Sequence, residues 1–357
     1  MDIVEATQSY ETWLGKAVPL VPEDLKAKHD VMRKSAFGFL RATYYRWTQQ
    51  LPALCPEAAE APAVLGIGDL HVENFGTWRD GEARLVWGVN DFDEATTLPY
   101  AADLIRLATS VLIAIDEGSL SIGARHACNE ILDGYTKAMA APEARPFVLE
   151  EGNRSLREIA MGDRHSPRKF WKRLQKADDA EPPPEAKALL LKHLPKGAPE
   201  IAFKRRTAGA GSLGLPRFVA LRELDRSLVA REAKARGPSV RCWTDGARDA
   251  RGNYAEIVGR AIRPHDPFLI VETNWIVRRL APHCERIALS DIDDAAGRRD
   301  VLNAMGAETA NIHRGTRGAA VRIRKHLAKQ EDDWLHDAAR LMAGAVQRDR
   351  AAWRKRG

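Results

Sequence analysis

The sequence predicts an α+β protein in which helical segments at both ends of the chain flank a strand-rich middle. Three observations carry this expectation. Apolar residues keep helical spacing up to about Leu51, and the pattern is helical again from Asp291 onward. Between Ile201 and Leu280 the composition shifts to alternating, β-branched runs typical of strands. Between them, Ala63–Ile67 and Ala83–Val89 read as short buried strands, each followed by a polar, carboxylate-bearing segment. With 357 residues there is length for two domains or one large two-lobed one, and the 45% hydrophobic content supports a real core.

The elements follow in order. Leu25–His29 leads into Ser35–Trp47, where Phe37, Tyr44, Tyr45 and Trp47 stand at helical spacing and predict a core-packing face. Gly68 stops the strand Ala63–Ile67, and Asp80-Gly81 is a hairpin-type pair expected to join it to Ala83–Val89. Tyr100–Ile115 reads as a buried helix ended by Gly118, and Ile122–Met139 as a second helix. Four prolines in the polar stretch 177–200 predict a linker, interrupted by a short helix at Ala186–His193. Strands are expected at Ile201–Arg206, Arg217–Leu224, Leu228–Lys234, Phe268–Val271 and Val277–Leu280. Val301–His313 and Trp334–Trp353 read as helices, and the chain has no internal repeat.

Composition narrows the function classes. Charged residues make up 29%, and the formal net charge of +6 is compatible with an anionic substrate. Arg314, Arg317, Arg322, Arg324 and Lys325 lack aromatic interleaving, so that run reads as a solvated helix face rather than a nucleic-acid surface. Cys55, Cys128, Cys242 and Cys284 stand far apart without CxxC spacing, which points to reduced thiols and neither a zinc site nor a disulfide framework. The first residues lack a signal-peptide pattern. The longest apolar run, near Leu104 to Ile115, is broken by Arg106 and too short to span a bilayer. The expected location is the cytoplasm, away from membranes.

The chemistry concentrates in Gly68-Asp69-Leu70-His71-Val72-Glu73-Asn74-Phe75-Gly76 and Asn90-Asp91-Phe92-Asp93-Glu94. Strand ends that bring Asp69, Asn74 and Asp91 together offer three oxygen-bearing side chains, a set suited to a hard cation such as magnesium. A carboxylate five residues before an amide matches the catalytic-loop spacing of phosphoryl transfer. Downstream, Gly209-Ala210-Gly211-Ser212-Leu213-Gly214 is followed by Pro216 and an alternating run, so a strand rather than a helix follows the glycines. Strand, glycine loop, strand is the arrangement that covers nucleotide phosphates in protein-kinase-like enzymes, where backbone N–H groups approach the phosphates closely. The next strand should then supply a cation for the phosphates. Both Arg231 and Lys234 qualify: Lys234 has the usual residue type and Arg231 lies nearer the strand centre. Glu232 or Glu256 is a partner for that cation.

These motifs resemble known ones. Gly68–Asn74 is similar to the HGDLHxxN catalytic loop of aminoglycoside and choline kinases, Asn90–Asp93 to their IDxE metal segment, and Asp103-Leu104 to the DL motif that follows. The chain as a whole resembles the bacterial domain-of-unknown-function family 2252, which shares the GDxHxxNFG, NDFDE and GxGSxG runs, over nearly all its length. In the kinases the glycine loop comes first; here it lies about 140 residues after the catalytic loop. Met305–His313 is similar to the LxxLH helix that ordinarily precedes the catalytic loop, so the resemblance implies a circular permutation, which nearby domain termini make feasible. It implies that Asp69 is the base or orienting carboxylate, that Asn74 and Asp91 bind magnesium, and that Asp93 is a second-metal or water ligand. It places Gly209, Gly211, Ser212 and Gly214 over the phosphates, gives His71 a bracing role, and has Asp103 bond the backbone of the catalytic loop.

The expectation is therefore a protein-kinase-like two-lobed α+β fold in circularly permuted order. Residues 1–199 would form the helical catalytic lobe, 200–285 the β-rich nucleotide lobe, and 286–357 the helices that complete the catalytic lobe. The expected activity is ATP- and Mg2+-dependent transfer of a phosphoryl group to a hydroxyl of a small-molecule acceptor. A nucleotide-binding pseudokinase with a regulatory or scaffold role is the alternative. A metallophosphoesterase would need an upstream DxH and a downstream GNH, and the sequence has neither.

Overall fold

Ten strands and the helices between them make an α+β structure, seen in a computed structural model that describes residues 1–150, 152–161, 166–207, 209, 211, 213–246, 253–284 and 295–356. The strands are β1 (Ala63–Gly66), β2 (Phe75–Arg79), β3 (Leu85–Val89), β4 (Thr96–Pro99), β5 (Phe147–Val148), β6 (Ile201–Arg205), β7 (Arg217–Leu224), β8 (Ser227–Ala235), β9 (Ile270–Val271) and β10 (Trp275–Leu280). They form three antiparallel sheets: β1 with β4, the three-stranded β2-β3-β5, and the five-stranded β6-β7-β8-β10-β9.

The large sheet follows from its local chemistry. β7 and β8 are joined by Asp225 and Arg226, both in the left-handed region at φ 48° and 62°, the conformation a two-residue hairpin turn requires. One face of the sheet buries Ala220, Ala233, Ala235, Trp275 and Val277 against Ala186, Leu190 and Leu194. Those last residues belong to the helix Pro184–His193 and its C-cap, so the proline-rich stretch is no free linker. Pro184 sits in the first turn, where its missing N–H costs nothing, and the helix it starts covers the sheet.

The hairpin at Asp80-Gly81 differs from expectation. It joins β2 to β3, and β1 pairs with β4 instead. The reason is that Phe75–Arg79, read from the sequence as the tail of a loop motif, is itself a buried strand. Asp80 closes the turn by accepting from the Glu82 and Arg84 N–H groups.

The helical part is built from both ends of the chain. The C-terminal helix Trp334–Arg356 packs on the buried helix Tyr100–Asp116 and on the helices Ile3–Gly15, Pro22–Lys34, Ala36–Ala42 and Tyr44–Leu54. Arg46 and Gln50 both donate to Asp349, at 2.8 Å each, tying the two ends together. The helices Ala124–Ala140 and Ala295–Arg314 cross so closely that Gly134 faces the Asn303 carbonyl and Gly306 the Ile131 carbonyl. The short helices Arg154–Met161, Pro167–Gln175, Val240–Thr244 and Asn253–Arg260 complete the structure. No disulfide joins the four cysteines, and among the described residues no helix is long and apolar enough to cross a membrane.

Candidate active site

β1 ends at Gly66, and the chain then turns away under the control of one buried carboxylate. Asp103, in the first turn of Tyr100–Asp116, accepts the Ile67 and Gly68 N–H groups at 2.8 Å each. His313 Nε2 lies 2.9 Å from the same carboxylate, and His313 Nδ1 lies 2.8 Å from the Tyr135 hydroxyl. Gly68 has φ +87°, and a Cβ there would stand 2.5 Å from the Glu94 carbonyl oxygen, so the turn requires glycine.

The turn delivers Asp69. One helical turn beyond Asp103, on the same face, Arg106 donates to Asp69 Oδ1 from Nε at 3.1 Å and from Nη2 at 2.6 Å. Arg106 is itself buried, donates to the Leu40 carbonyl, and lies over the rings of Trp47 and Tyr44. Both of its bonds to Asp69 fall on Oδ1. Oδ2 has no hydrogen-bond partner among the described residues and faces Gly211 of the glycine loop, where a Cβ would stand 3.2 Å away. Burial pushes the Asp69 carboxyl above its ordinary pKa, with Arg106 and Arg41 opposing the rise.

The rest of the loop braces itself. Glu73 N–H donates to His71 Nδ1 at 3.2 Å, and Asn74 Oδ1 accepts His71 N–H at 2.7 Å across the turn Val72–Asn74. The Asn74 carbonyl accepts Asn90 N–H, which fastens the loop to the segment after β3. That segment presents Asp91 and Asp93, and both meet Lys234 from the large sheet. Lys234 Nζ lies 3.3 Å from each Asp91 oxygen and pairs with Asp93 Oδ2. Burial raises both carboxyls, but Lys234, Arg217 and Arg278 outweigh it at Asp91 and hold that group low; at Asp93 burial and the charge of Asp91 win, and it is raised. Asp93 Oδ1 is buried without a hydrogen-bond partner among the described residues.

The strand register places the two candidate cations apart. Lys234 pairs across to Arg217 and Glu232 to Arg278, all on the face that meets Asp91. Arg231, three residues before Lys234, falls on the opposite face, donates to the Ala230 carbonyl and lies over the Phe268 ring. It does not reach the aspartates.

Sequence reasoning overlooked a larger cationic feature. Glu232 is fully buried and receives three guanidinium groups: Arg206 pairs with it, Arg278 Nε donates at 3.0 Å, and Arg217 Nη1 lies 3.4 Å away. Burial alone would raise this carboxyl, yet the three arginines hold it well below the usual range. Cross-strand pairing creates the cluster, so no linear motif signals it.

Asp69, Asn74, Asp91 and Asp93 share one cavity of about 710 Å³ with Arg206, Arg217, Arg278, Gly209 and Gly211. Gly209 and Gly214 adopt φ +77° and +103°, and Ser212 lies outside the described residues. Among the described residues no three His, Cys, Asp or Glu side chains group as a metal cage. Two carboxylates and an amide oxygen nevertheless suit magnesium, which keeps waters and substrate phosphates among its ligands, and the partnerless Asp93 Oδ1 would gain a cation.

Residues 20–181 match the family model described as an uncharacterized protein conserved in bacteria, DUF2252. The matched segment contains Gly68–Gly76 and Asn90–Glu94 and stops before the glycine loop, so the likeness read over nearly the whole chain is supported over these residues. No match is found among curated proteins or among solved structures.

Proposed function

We propose that the protein is an ATP- and magnesium-dependent phosphotransferase with a circularly permuted, protein-kinase-like fold, acting on a hydroxyl of a small molecule. The observation that carries this reading is the approach of Gly211 to Asp69: residues far apart in sequence put a glycine loop against a carboxylate whose Oδ2 is open to the cavity. On this reading residues 200–285 form the nucleotide lobe, and 1–199 with 286–357 form the catalytic lobe.

The chain's own residues divide the work. Arg206, Arg217 and Arg278 present more positive charge than Glu232 neutralises, which suits the phosphates of a nucleotide. Gly209 and Gly211 line the cavity and let the backbone lie close above those phosphates, whereas Gly214 packs against Leu25 and lies outside the lining. Asp69 Oδ2 accepts the proton of the acceptor hydroxyl while Arg106 fixes the carboxylate through Oδ1. Asp91 and Asp93, with Asn74, would hold magnesium, which supplies charge neutralisation at the transferring phosphoryl group when bound. The pseudokinase alternative draws on one observation, that Lys234 is engaged by both aspartates rather than turned to the cavity.

Arg278→Gln is expected to weaken ATP binding by about tenfold or more in calorimetry, from loss of a charge-assisted contact. Glu232 keeps Arg206 and Arg217 in that variant, so the fold should hold. An affinity equal to wild type in a folded Arg278→Gln protein would remove the phosphates from this cluster.

A further inference from the structure

We propose that the wall of the cavity built by the N-terminal helices is the acceptor site, and that it takes an uncharged, polyhydroxylated small molecule. The proposal rests on the phosphotransferase reading for the word acceptor, and on the two walls of the cavity for its chemistry.

The walls differ in charge. The sheet wall sets three arginines against one carboxylate, leaving a surplus of positive charge. On the helical wall, among the described residues, the cations that line the cavity from the N-terminal helices each meet a carboxylate. Lys28 is buried 3.7 Å from Glu11, and Arg41 pairs with Glu73. Glu94 accepts from the Ser239 hydroxyl at 2.9 Å and from Val240 N–H at 2.8 Å. An anionic acceptor would find Lys28 and Arg41 committed, and a cationic one would find Glu11, Glu73 and Asp69 each already holding a cation and Glu94 already accepting two hydrogen bonds.

What this wall does offer is hydroxyl groups. Tyr10 and Tyr44 line the cavity, and among the described residues their hydroxyls have no hydrogen-bond partner. The Tyr44 hydroxyl lies 3.0 Å from where a Cβ of Gly68 would stand, beside Asp69, so a molecule bonded to it is within reach of the open Oδ2. Tyr45, stacked on Tyr10 with centroids 4.4 Å apart, is committed through its hydroxyl to Thr7. Gly237 and Pro238 line the same cavity, and Gly237 approaches Leu14. The ring faces are taken, by Tyr45 and Lys28 at Tyr10 and by Arg106 at Tyr44, so it is the hydroxyls that meet the cavity, and they suit the O–H groups of a sugar or cyclitol.

The test is saturation-transfer NMR on the full chain with glucose, ribose and myo-inositol as uncharged probes, and glucosamine, choline and gluconate as charged ones. The same panel is run on Tyr10→Phe and Tyr44→Phe, conservative changes that remove only a hydroxyl. At least one uncharged polyol is expected to bind, and to bind about fivefold or more weakly in one or both variants. Binding of charged probes alone, no binding of the uncharged ones, or identical binding in wild type and both variants would overturn the proposal. Calorimetry with ATP on the same samples reads the phosphotransferase assignment separately: a protein that binds a polyol through Tyr10 or Tyr44 but no nucleotide keeps the site and loses the reaction.

Discussion

Asp69→Asn should lower ATP turnover, whether water or a hydroxyl is the acceptor, by about 100-fold or more, while MgATP affinity stays within about threefold of wild type. The asymmetry of the Asp69 environment is the reason. Arg106 takes Oδ1 with two nitrogens and leaves Oδ2 to the cavity. An asparagine would keep its oxygen on Arg106 and turn its NH2 toward the acceptor, placing a donor where a proton must be received. Arg106 itself stays anchored by the Leu40 carbonyl and the Trp47 ring, so the variant should fold, and a melting curve checks that. Turnover equal to wild type in a folded Asp69→Asn protein would take Asp69 out of the chemistry.

The second large effect is on stability. Gly306→Ala should cost about 3 kcal/mol or more in urea denaturation, although alanine is the better helix former by about 1 kcal/mol. A methyl at Gly306 would overlap the Ile131 carbonyl, and one at Gly134 the Asn303 carbonyl. Both obstacles are helix backbone, which has no rotamer to move out of the way, so the helices Ala124–Ala140 and Ala295–Arg314 must separate. Combining Gly134→Ala with Gly306→Ala should cost less than the sum, because the first methyl already opens the gap. The damage should also reach the Asp69 loop, since Ala295–Arg314 carries His313, which meets Asp103, which holds Gly68. An unchanged denaturation midpoint would mean that the crossing is loose.

What the sequence made legible was local. Asp69 and Asn74, or Asp91 and Asp93, sit a few residues apart at the ends of short strands, so their grouping follows from spacing alone. Asp103 lies where helix Tyr100–Asp116 begins, and its bonds to Ile67 and Gly68 match the bracing role that the resemblance implied. What stayed hidden depends on register. A shift of one residue would exchange the faces of Arg231 and Lys234, and the alternation of β8 looks the same either way. Arg217 and Arg278 meet Glu232 only through cross-strand pairing, between segments separated by helices and loops. Tyr44 and Tyr45 were legible as buried, but helical spacing cannot distinguish a residue facing the core from one lining a cavity within it. The helix Pro184–His193 was read correctly as a helix and wrongly as part of a linker, because a covering role depends on the sheet beneath it.

The central claim is that the cavity between the large sheet and the Asp69 loop binds a nucleotide through magnesium held at Asp91. Its most direct test is a calorimetric titration of ATP, with and without magnesium, into wild type and Asp91→Ala. The account predicts that magnesium tightens binding to wild type by about tenfold or more, and that the gain disappears in Asp91→Ala. Absence of nucleotide binding, or equal affinity with and without magnesium in both proteins, would contradict it.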